Sequence, residues 1–261
     1  MSYGTTLEVR DGVAYITLNR PEAGNALDPL VIHEFRDAAE SLDERDDVGA
    51  VILTGAGKNF SVGGDLNFMH DAGDDVADAV YGLASTMHAG IEALALLDAP
   101  VISVVRGAAA GGGMSMAIAA DLVLAAETAH FTVAYTSIGF SPDGGSSWTL
   151  PRLVGYRRAT ELMLLNERLT AARAHELGMV TRVVPDDALD AEGEALARQL
   201  ASGPAGAHGA VKRLLLRSSV SAFRDQLMDE AHTIAGMSAL PDGREGVLAF
   251  LDRRAPHFGE P

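Results

Sequence analysis

Two glycine-rich turns are the segments whose residue types best suit chemistry. A triple glycine at 111–113 follows the apolar run 101–105 and precedes a helix-forming run, and a double glycine at 63–64 follows the apolar run 48–55. Glycine removes the side chains that would hold a ligand away from the peptide bonds. At the start of a helix the backbone N–H groups also lack partners and carry roughly half a positive charge. Each turn could therefore donate hydrogen bonds to an oxygen atom that develops negative charge.

The two turns would act together if their strands are neighbours in one sheet. We then expect Gly64 and Gly112 to lie at the same end of that sheet, with two amide N–H groups pointing at one oxygen. Paired donors of this kind define an oxyanion hole, in which one donor contributes about 2.7–4 kcal/mol of transition-state stabilisation. Taken alone, the triple glycine is equally consistent with close packing of a helix on the sheet, and the double glycine with a tight turn.

Asp143 is the third candidate, inside a Pro-Asp-Gly-Gly sequence. This sequence is a strong turn signal, so the local prediction for Asp143 is a turn former or a helix cap. A carboxylate close to Phe140 and Trp148 would, however, be partly removed from water, and desolvation makes a carboxylate a stronger proton acceptor. Asp143 is therefore also a candidate general base.

The composition excludes several classes of partner and chemistry. The 261 residues carry a formal net charge of −16, and such an acidic surface gains nothing from nucleic acid or an anionic membrane. The absence of cysteine excludes disulfides, thiolate catalysis and cysteine-ligated metals, and it agrees with a cytoplasmic location. The N-terminus shows no secretory pattern, and no apolar run approaches the roughly 18 residues of a membrane span.

The elements that must position these residues alternate between strands and helices, which predicts a mostly parallel sheet. A hairpin is predicted around Asp11 and Gly12, followed by a helix capped by Asp28. A helix with one apolar face, formed by Leu83, Met87, Ile91, Leu94 and Leu97, precedes the strand at 101–105. From residue 155 onward only helices are predicted, at 158–165, 171–177, 189–201, 205–217, 222–235 and 244–254.

Several short motifs occur in order along nearly the whole chain. They are Asn19-Arg20-Pro21 with Asn25-Ala26-Leu27, Phe60-Ser61-Val62-Gly63-Gly64-Asp65-Leu66, the glycine turn 107–113, Ala129-His130-Phe131, Pro142-Asp143-Gly144-Gly145 and Leu150-Pro151-Arg152-Leu153-Val154-Gly155. In order and spacing they resemble the enoyl-CoA hydratase/isomerase (crotonase) superfamily. The resemblance implies an α/β crotonase fold, a spiral of ββα units. Residues 1–200 would form its core with the acyl-CoA site, and residues 201–261 a helical trimerisation region.

The resemblance also implies an acyl-CoA thioester as the substrate. Coenzyme A is then part of the substrate, and neither a separate cofactor nor a metal is expected. In the family two backbone amides, at the motif positions of Gly64 and Gly112, hold the thioester oxygen. By the same match the CoA-binding residues are Ala23, Asn25, Ala26, Val62, Asp65 and Leu66, and the cations for the CoA phosphates are Arg20, Lys58, Arg253 and Arg254. The implied assembly is a homotrimer or a dimer of trimers.

Two positions depart from the hydratases of this family. Those enzymes hold and activate water with two glutamates, where this chain has Ser115 and Tyr135. Hydroxyl groups cannot replace paired carboxylates in moving protons to and from water near neutral pH. Asp143 stands where the family's double-bond isomerases and benzoyl-CoA dehalogenases place their acting carboxylate, in a sequence that looks most like the phenylacetate-pathway isomerases. We therefore expect double-bond isomerisation through a dienolate, with Asp143 as the proton shuttle.

Three other functions stay open at this point: a hydratase with a rearranged site, an aryl-CoA dehalogenase and a non-catalytic acyl-CoA-binding scaffold. The dehalogenase is suggested by His88, which aligns with a histidine that assists those enzymes, although a histidine at this place is more often a packed or half-exposed helix residue. We expect the polar segment 70–78 to be mobile and to shape the pocket for the acyl chain. The other expected pocket residues are His88, Ser115, Tyr135, Phe140 and Trp148.

Overall fold

Nine strands build two sheets at the centre of the computed structural model, which describes residues 4–259. The strands are β1 (Thr5–Arg10), β2 (Val13–Leu18), β3 (Ala50–Gly55), β4 (Val101–Val105), β5 (Ala108–Ala110), β6 (Leu122–Ala126), β7 (His130–Thr132), β8 (Leu169–Thr170) and β9 (Arg182–Val184). The larger sheet has the order β1-β2-β3-β4-β6-β9, in which only β1 and β2 are antiparallel. The smaller sheet has the order β5-β7-β8.

Eleven α-helices within the described residues complete the fold and lie between or after the strands. They are α1 (Pro29–Ser41), α2 (Leu66–Asp71), α3 (Val76–Leu96), α4 (Gly112–Ala119), α5 (Ser146–Val154), α6 (Tyr156–Leu165), α7 (Ala171–Glu176), α8 (Leu189–Ala201), α9 (Ala205–Ser218), α10 (Phe223–Ala239) and α11 (Pro241–Asp252). The parallel strands and their crossover helices confirm the predicted α/β class.

Local sequence explains the first elements of the fold. Asp11 and Gly12 both have positive φ, 50° and 75°, and form the two-residue turn that joins β1 to β2. Asp28 caps α1, because its Oδ1 accepts a hydrogen bond of 2.9 Å from the backbone N–H of Val31. The predicted hairpin and the predicted capped helix are therefore confirmed.

The segment before the triple glycine is not the bare turn that the sequence predicts. Residues 108–110 form β5, which pairs in parallel with β7, as between Ala109 and Phe131. A strand of three alanines has no alternation of apolar and polar residues, so pattern analysis does not separate it from a turn.

From residue 155 onward, the structure contains two strands that the helix-only prediction missed. The strand β9 adds three residues to the edge of the large sheet, and β8 adds two to the small one. Strands this short are specified by the partner strand rather than by their own pattern. The helix α5, which ends just before residue 155, is also absent from the prediction. It contains Pro151 in its interior, and because an interior proline normally ends a helix, the sequence pattern does not predict a helix there.

The segment 70–78, predicted to be mobile, is largely helical. It contains the end of α2, the short 3₁₀ helix Gly73–Asp75 and the first turn of α3. The amphipathic helix α3 then runs for 21 residues towards Pro100, as its apolar periodicity predicts.

Lys212 anchors the C-terminal helices to the core. Its side chain is 8% exposed, and its ammonium group lies 2.9 Å from Asp121 Oδ2 and donates to the carbonyl oxygens of Leu94 and Ala99. Beyond this anchor, α10 and α11 expose large apolar side chains, including Phe223, Leu227, Ile234, Val247, Phe250 and Leu251. The boundary between residues 200 and 201, and trimerisation through residues 201–261, stay predictions.

Within residues 4–259, no helix combines the length and the apolar character needed to cross a bilayer. The same part of the chain holds no group of three or more histidines and carboxylates that could bind a metal ion. The expected cytoplasmic location stays a prediction.

Candidate active site

The two glycine turns lie side by side because the strands before them are paired. The backbone N–H of Ser61 donates to the carbonyl of Ala108, and the N–H of Ala110 donates to the carbonyl of Ser61, both at 3.0 Å. This is a parallel bridge between residues 61 and 109. Gly64 and Gly112 each follow the bridge by three residues, so the register brings them to the same end of the sheet.

Close approach of the two turns requires glycine at the residue before each of these amides. Gly63 has a φ of 94°, and a Cβ atom there would lie 2.8 Å from the carbonyl oxygen of Ala110. Gly111 has φ 51° and ψ −128°, a conformation that is essentially restricted to glycine. The glycines therefore do more than allow close packing, because they also set the direction of the peptide bonds that follow.

The amides of Gly64 and Gly112 have no acceptor within the described residues. Gly112 is the first residue of α4, whose first backbone hydrogen bond runs from the N–H of Ser115 to the carbonyl of Gly111. The neighbours of Gly64 are bonded to Leu27, but its own N–H is not. Both glycines line one large cavity, so two unpaired donors are available to a ligand there.

A carboxylate lines the same cavity, on the turn before α5. Asp143 is half-buried, and its Oδ1 accepts a short hydrogen bond from the hydroxyl of Tyr135. The Oγ of Ser115, which is fully buried on α4, lies 3.0 Å from the same tyrosine hydroxyl. The structure thus brings the three predicted residues Asp143, Tyr135 and Ser115 together in one chain of hydrogen bonds.

The phenol of Tyr135 stays protonated beside the carboxylate. Burial raises the pKa of Tyr135 well above its ordinary value of 10, and the negative charge of Asp143 raises it further. Tyr135 is therefore a hydrogen-bond donor to Asp143 over the whole neutral range.

The backbone around Asp143 is held by two other segments of structure. The N–H of Gly144 donates a 2.9 Å hydrogen bond to Nε2 of His88 on α3. The carbonyl of Asp143 accepts hydrogen bonds from the N–H and the hydroxyl of Ser146 at the start of α5. His88 is therefore neither packed nor in the cavity lining; it fixes the turn that carries the carboxylate.

The cavity has a volume of about 1080 Å³ and continues away from the glycine turns along an apolar wall. Side chains of α3 supply most of this wall, namely Val76, Val80, Leu83, Ala84 and Met87. Met69 and Ile138 add to it. Sequence reasoning missed most of these residues as ligand contacts, and it assigned Leu83 and Met87 to a buried helix face. Helical periodicity identifies an apolar face but does not say whether protein or ligand covers that face.

Five of the six predicted CoA-binding residues line the cavity: Ala23, Ala26, Val62, Asp65 and Leu66. The sixth, Asn25, is fully buried and is not among the lining residues. Its carboxamide is used within the loop, since it donates to the carbonyls of Ala56 and Asn59 and accepts from the N–H of Arg20. Asn25 therefore shapes the loop and does not present its side chain to a ligand.

The predicted phosphate-binding cations differ in their availability. Arg20 lines the cavity but is paired with two carboxylates, Asp28 at 2.8 Å and Asp65 at 3.0 Å. Arg254 is paired with Glu245. The side chains of Lys58 and Arg253 are exposed and make no ion pair within the described residues, so these two cations are the better candidates.

Among the predicted pocket residues, Tyr135 and Phe140 line the cavity. Ser115 lies one hydrogen bond behind the lining, through Tyr135, and His88 bonds to the N–H of Gly144, the residue after Asp143. Trp148 is not among the lining residues; it is 41% exposed on α5, and the Arg152 guanidinium lies over its ring at 3.9 Å. The turn signal at 142–145 leads to the prediction that Trp148 lies beside Asp143. In the structure residues 146–154 form the helix α5, and Trp148 is not part of the cavity lining.

The fold places two unpaired amides and a carboxylate at one cavity, and comparison with known proteins identifies the family of enzymes to which this architecture belongs. Residues 8–261 match the enoyl-CoA hydratase/isomerase family, and the chain belongs to this family, the crotonase superfamily. A probable enoyl-CoA hydratase of Rhodobacter capsulatus is 38% identical over 99% of both chains. The 1,2-epoxyphenylacetyl-CoA isomerase of Escherichia coli is 37% identical over 96% of both. A crystal structure of an enoyl-CoA hydratase from Polaromonas superposes with a TM-score of 0.93, at 31% identity, over 98% of this chain and 99% of that one. The chain is therefore an enzyme that acts on acyl-CoA thioesters.

Proposed function

We propose that this enzyme moves the double bond of an enoyl-CoA thioester by means of one carboxylate. The observation that carries the proposal is that a single carboxylate lining the cavity is not paired with a cation. Asp65 and Asp143 are the carboxylates among the described residues that line the cavity, and Asp65 is held by Arg20 and by the first turn of α2. Of these two carboxylates, only that of Asp143 makes no ion pair with a cation of the described residues. Isomerisation needs one base, whereas hydration by the family's mechanism needs two.

The reaction follows from the positions of the donors and the base. The thioester oxygen accepts hydrogen bonds from the amides of Gly64 and Gly112, which makes the neighbouring carbon positions of the acyl chain more acidic. Asp143 takes a proton: the C–H bond breaks, its electron pair moves into the dienolate, and the carboxyl O–H bond forms. The same carboxyl group then returns the proton two carbons along the chain, so that the product has the mass of the substrate.

The acyl portion and the CoA portion of the proposed substrate match different parts of the cavity. The apolar wall along α3 suits an acyl chain or ring, and the loop that holds Ala23 and Ala26 suits the CoA portion. Coenzyme A then enters and leaves the site as part of a thioester that stays intact, and the proposed reaction uses no further cofactor. The exposed apolar face of α10 and α11 supports assembly into a homotrimer or a dimer of trimers, which light scattering on the purified protein would measure.

Hydration is the second candidate, because the Rhodobacter relative carries a hydratase name. It would have to use the hydroxyls of Ser115 and Tyr135. These bond to each other, and that of Tyr135 also bonds to Asp143, whereas the family's hydratases hold a water between two carboxylates. Dehalogenation of an aryl-CoA is disfavoured, because Nε2 of His88 is occupied by the N–H of Gly144 outside the cavity lining.

The test is incubation with 3-enoyl-CoA, 2-enoyl-CoA and 4-chlorobenzoyl-CoA, followed by mass and ultraviolet spectra. Isomerisation gives an unchanged mass and a shifted enoyl absorbance. A gain of one water in the 2-enoyl-CoA reaction, or chloride release from the aryl substrate, would replace the proposal with one of its competitors. Tight binding of every thioester without turnover would contradict all three reactions.

A further inference from the structure

Tyr135 connects the carboxylate of Asp143 to the protein interior through a chain of hydroxyl groups. Its phenol donates to Asp143 Oδ1, and Ser115 Oγ lies 3.0 Å from the phenol oxygen. Ser115 Oγ also lies 3.3 Å from the carbonyl oxygen of Gly111. The chain therefore runs from the cavity to the first turn of the helix that Gly112 opens.

The protons available on the three side chains determine which group donates and which accepts in each of these hydrogen bonds. An ionised carboxylate has no proton to give, so Tyr135 must be the donor to Asp143. The phenol oxygen is then an acceptor, and the single hydroxyl proton of Ser115 is the one that can satisfy it. Within the described residues, no other side chain or backbone N–H donates to the carboxylate of Asp143, so Oδ2 has no protein partner there, and Asp143 itself lines the cavity.

We propose that Tyr135 is a positioning residue that holds Oδ1 of Asp143 and leaves Oδ2 as the one oxygen that takes and returns the substrate proton. The proposal rests on the isomerisation proposed above, in which one base must reach two carbons of the same acyl chain. A carboxylate that rotated freely would lose a hydrogen bond donated to an anion each time it turned. The held carboxylate keeps one oxygen in place over both carbons, and small errors in such a position lower rates strongly.

The first test compares two substitutions of tyrosine by phenylalanine. Tyr135→Phe removes one oxygen and leaves Ser115 the Gly111 carbonyl as a partner, so the fold is preserved. We expect kcat for 3-enoyl-CoA isomerisation to fall about ten- to hundredfold with KM nearly unchanged. Tyr156→Phe, on the exposed start of α6, is the control and should change neither.

The second test does not require turnover. Tyrosine ionisation is followed by absorbance between pH 8 and pH 12 in the wild type, in Tyr135→Phe and in Asp143→Asn. Near pH 10 the first two should agree, because Tyr135 does not ionise there in the folded protein. In Asp143→Asn one tyrosine should ionise at lower pH than in the wild type, because the neighbouring negative charge is gone.

The outcomes separate this proposal from the proposed function. If Asp143→Asn is inactive while Tyr135→Phe keeps the wild-type kcat and KM, the positioning role is wrong and the isomerisation stands. If the wild type isomerises no enoyl-CoA, proton exchange between bound acyl-CoA and D₂O replaces kcat as the measured rate, and a tenfold or larger loss in Tyr135→Phe still supports the positioning role. A wild type without exchange, or a wild type that titrates one tyrosine more than Tyr135→Phe near pH 10, overturns it.

Discussion

The regions around Asp65 and around Asp143 both bring a carboxylate to the cavity, but they hold it in different ways. Asp65 follows directly on the first glycine turn, caps α2 and is bonded to the Arg20 guanidinium. Asp143 lies on a turn that is fixed by side chains from other helices, and its carboxylate contacts a neutral phenol. A carboxylate neutralised by a cation is held as part of the structure, whereas one held by a neutral donor keeps its charge available for chemistry.

The same comparison extends to the backbone. In the Asp65 region the groups proposed to act are amides, placed by strand register and by two glycine conformations. In the Asp143 region the group proposed to act is a side chain, held by the hydroxyl of Tyr135 and on a turn that bonds to His88 and Ser146. Changes of backbone conformation should therefore lower activity through the Asp65 region, whereas changes of single side chains should lower it through the Asp143 region.

The largest effect is expected for Asp143→Asn. The amide still accepts a hydrogen bond from Tyr135 but cannot take a proton, so kcat for isomerisation should fall by about 10²–10⁴. The measurement is the change in enoyl absorbance at saturating substrate. Asp46→Asn, an exposed acid in the loop before β3, is the control and should retain full activity. An Asp143→Asn variant that keeps most of the turnover would contradict the proposed mechanism.

The next effect is expected for Gly111→Ala. The φ of 51° and ψ of −128° at Gly111 cost a residue with a Cβ atom about 1–3 kcal/mol, and relief of this strain would turn the following amide of Gly112 away. We expect kcat to fall by about 10². Gly12→Ala also places a Cβ atom at a positive φ, 75°, in the β1–β2 turn, and it serves as the control because Gly12 is not among the residues that line the cavity. Equal loss of activity in both variants would show that strain, and not the amide, is responsible.

A smaller effect is expected for His88→Ala. The N–H of Gly144 loses its acceptor, and one hydrogen bond of this kind contributes about 1 kcal/mol, so kcat should fall about fivefold. KM should hold steady, because His88 is outside the cavity lining. Gln at this position can still accept the hydrogen bond, and His88→Gln should recover most of the rate. A loss that Gln does not rescue would point to imidazole chemistry of the dehalogenase kind.

The smallest effect is expected for Asp65→Asn, measured as stability. Burial alone would raise the pKa of Asp65, but hydrogen bonds from Arg20 and from the N–H groups of Phe68 and Asn67 outweigh it and lower the pKa. The ionised form therefore stabilises the fold above the unfolded-state pKa of about 4, and this contribution is lost as the pH falls through the lower folded-state value. Asn keeps the helix cap, so the free energy of unfolding should drop by about 1 kcal/mol at pH 7.

This difference should disappear in urea titrations carried out at acid pH, below the folded-state pKa of Asp65. Activity at pH 7 should change less in Asp65→Asn than in any of the three other variants. If its kcat falls as far as that of Asp143→Asn, both carboxylates take part in the chemistry, and a two-carboxylate hydration becomes the better function.

Features that depend on neighbouring residues in the chain could be predicted from the sequence. The hairpin at Asp11 and Gly12, the cap at Asp28 and the order of strands and helices follow from local dihedral and hydrogen-bonding preferences. The glycine turns belong to this group, because an αL or a more extreme conformation near a second backbone excludes other residues. The sequence by itself determined these local structures and the types of residue available at the cavity.

Only the tertiary structure decided which of those residues are free to act. Arg20 looks like a phosphate-binding cation until the fold places two carboxylates against it, and Asn25 looks like a ligand contact until its loop closes around it. Met87 belongs to an apolar helix face that could equally be core or cavity wall. In each case the answer depends on a group tens of residues away in the chain. Such partners are set by packing and register, which no local pattern encodes.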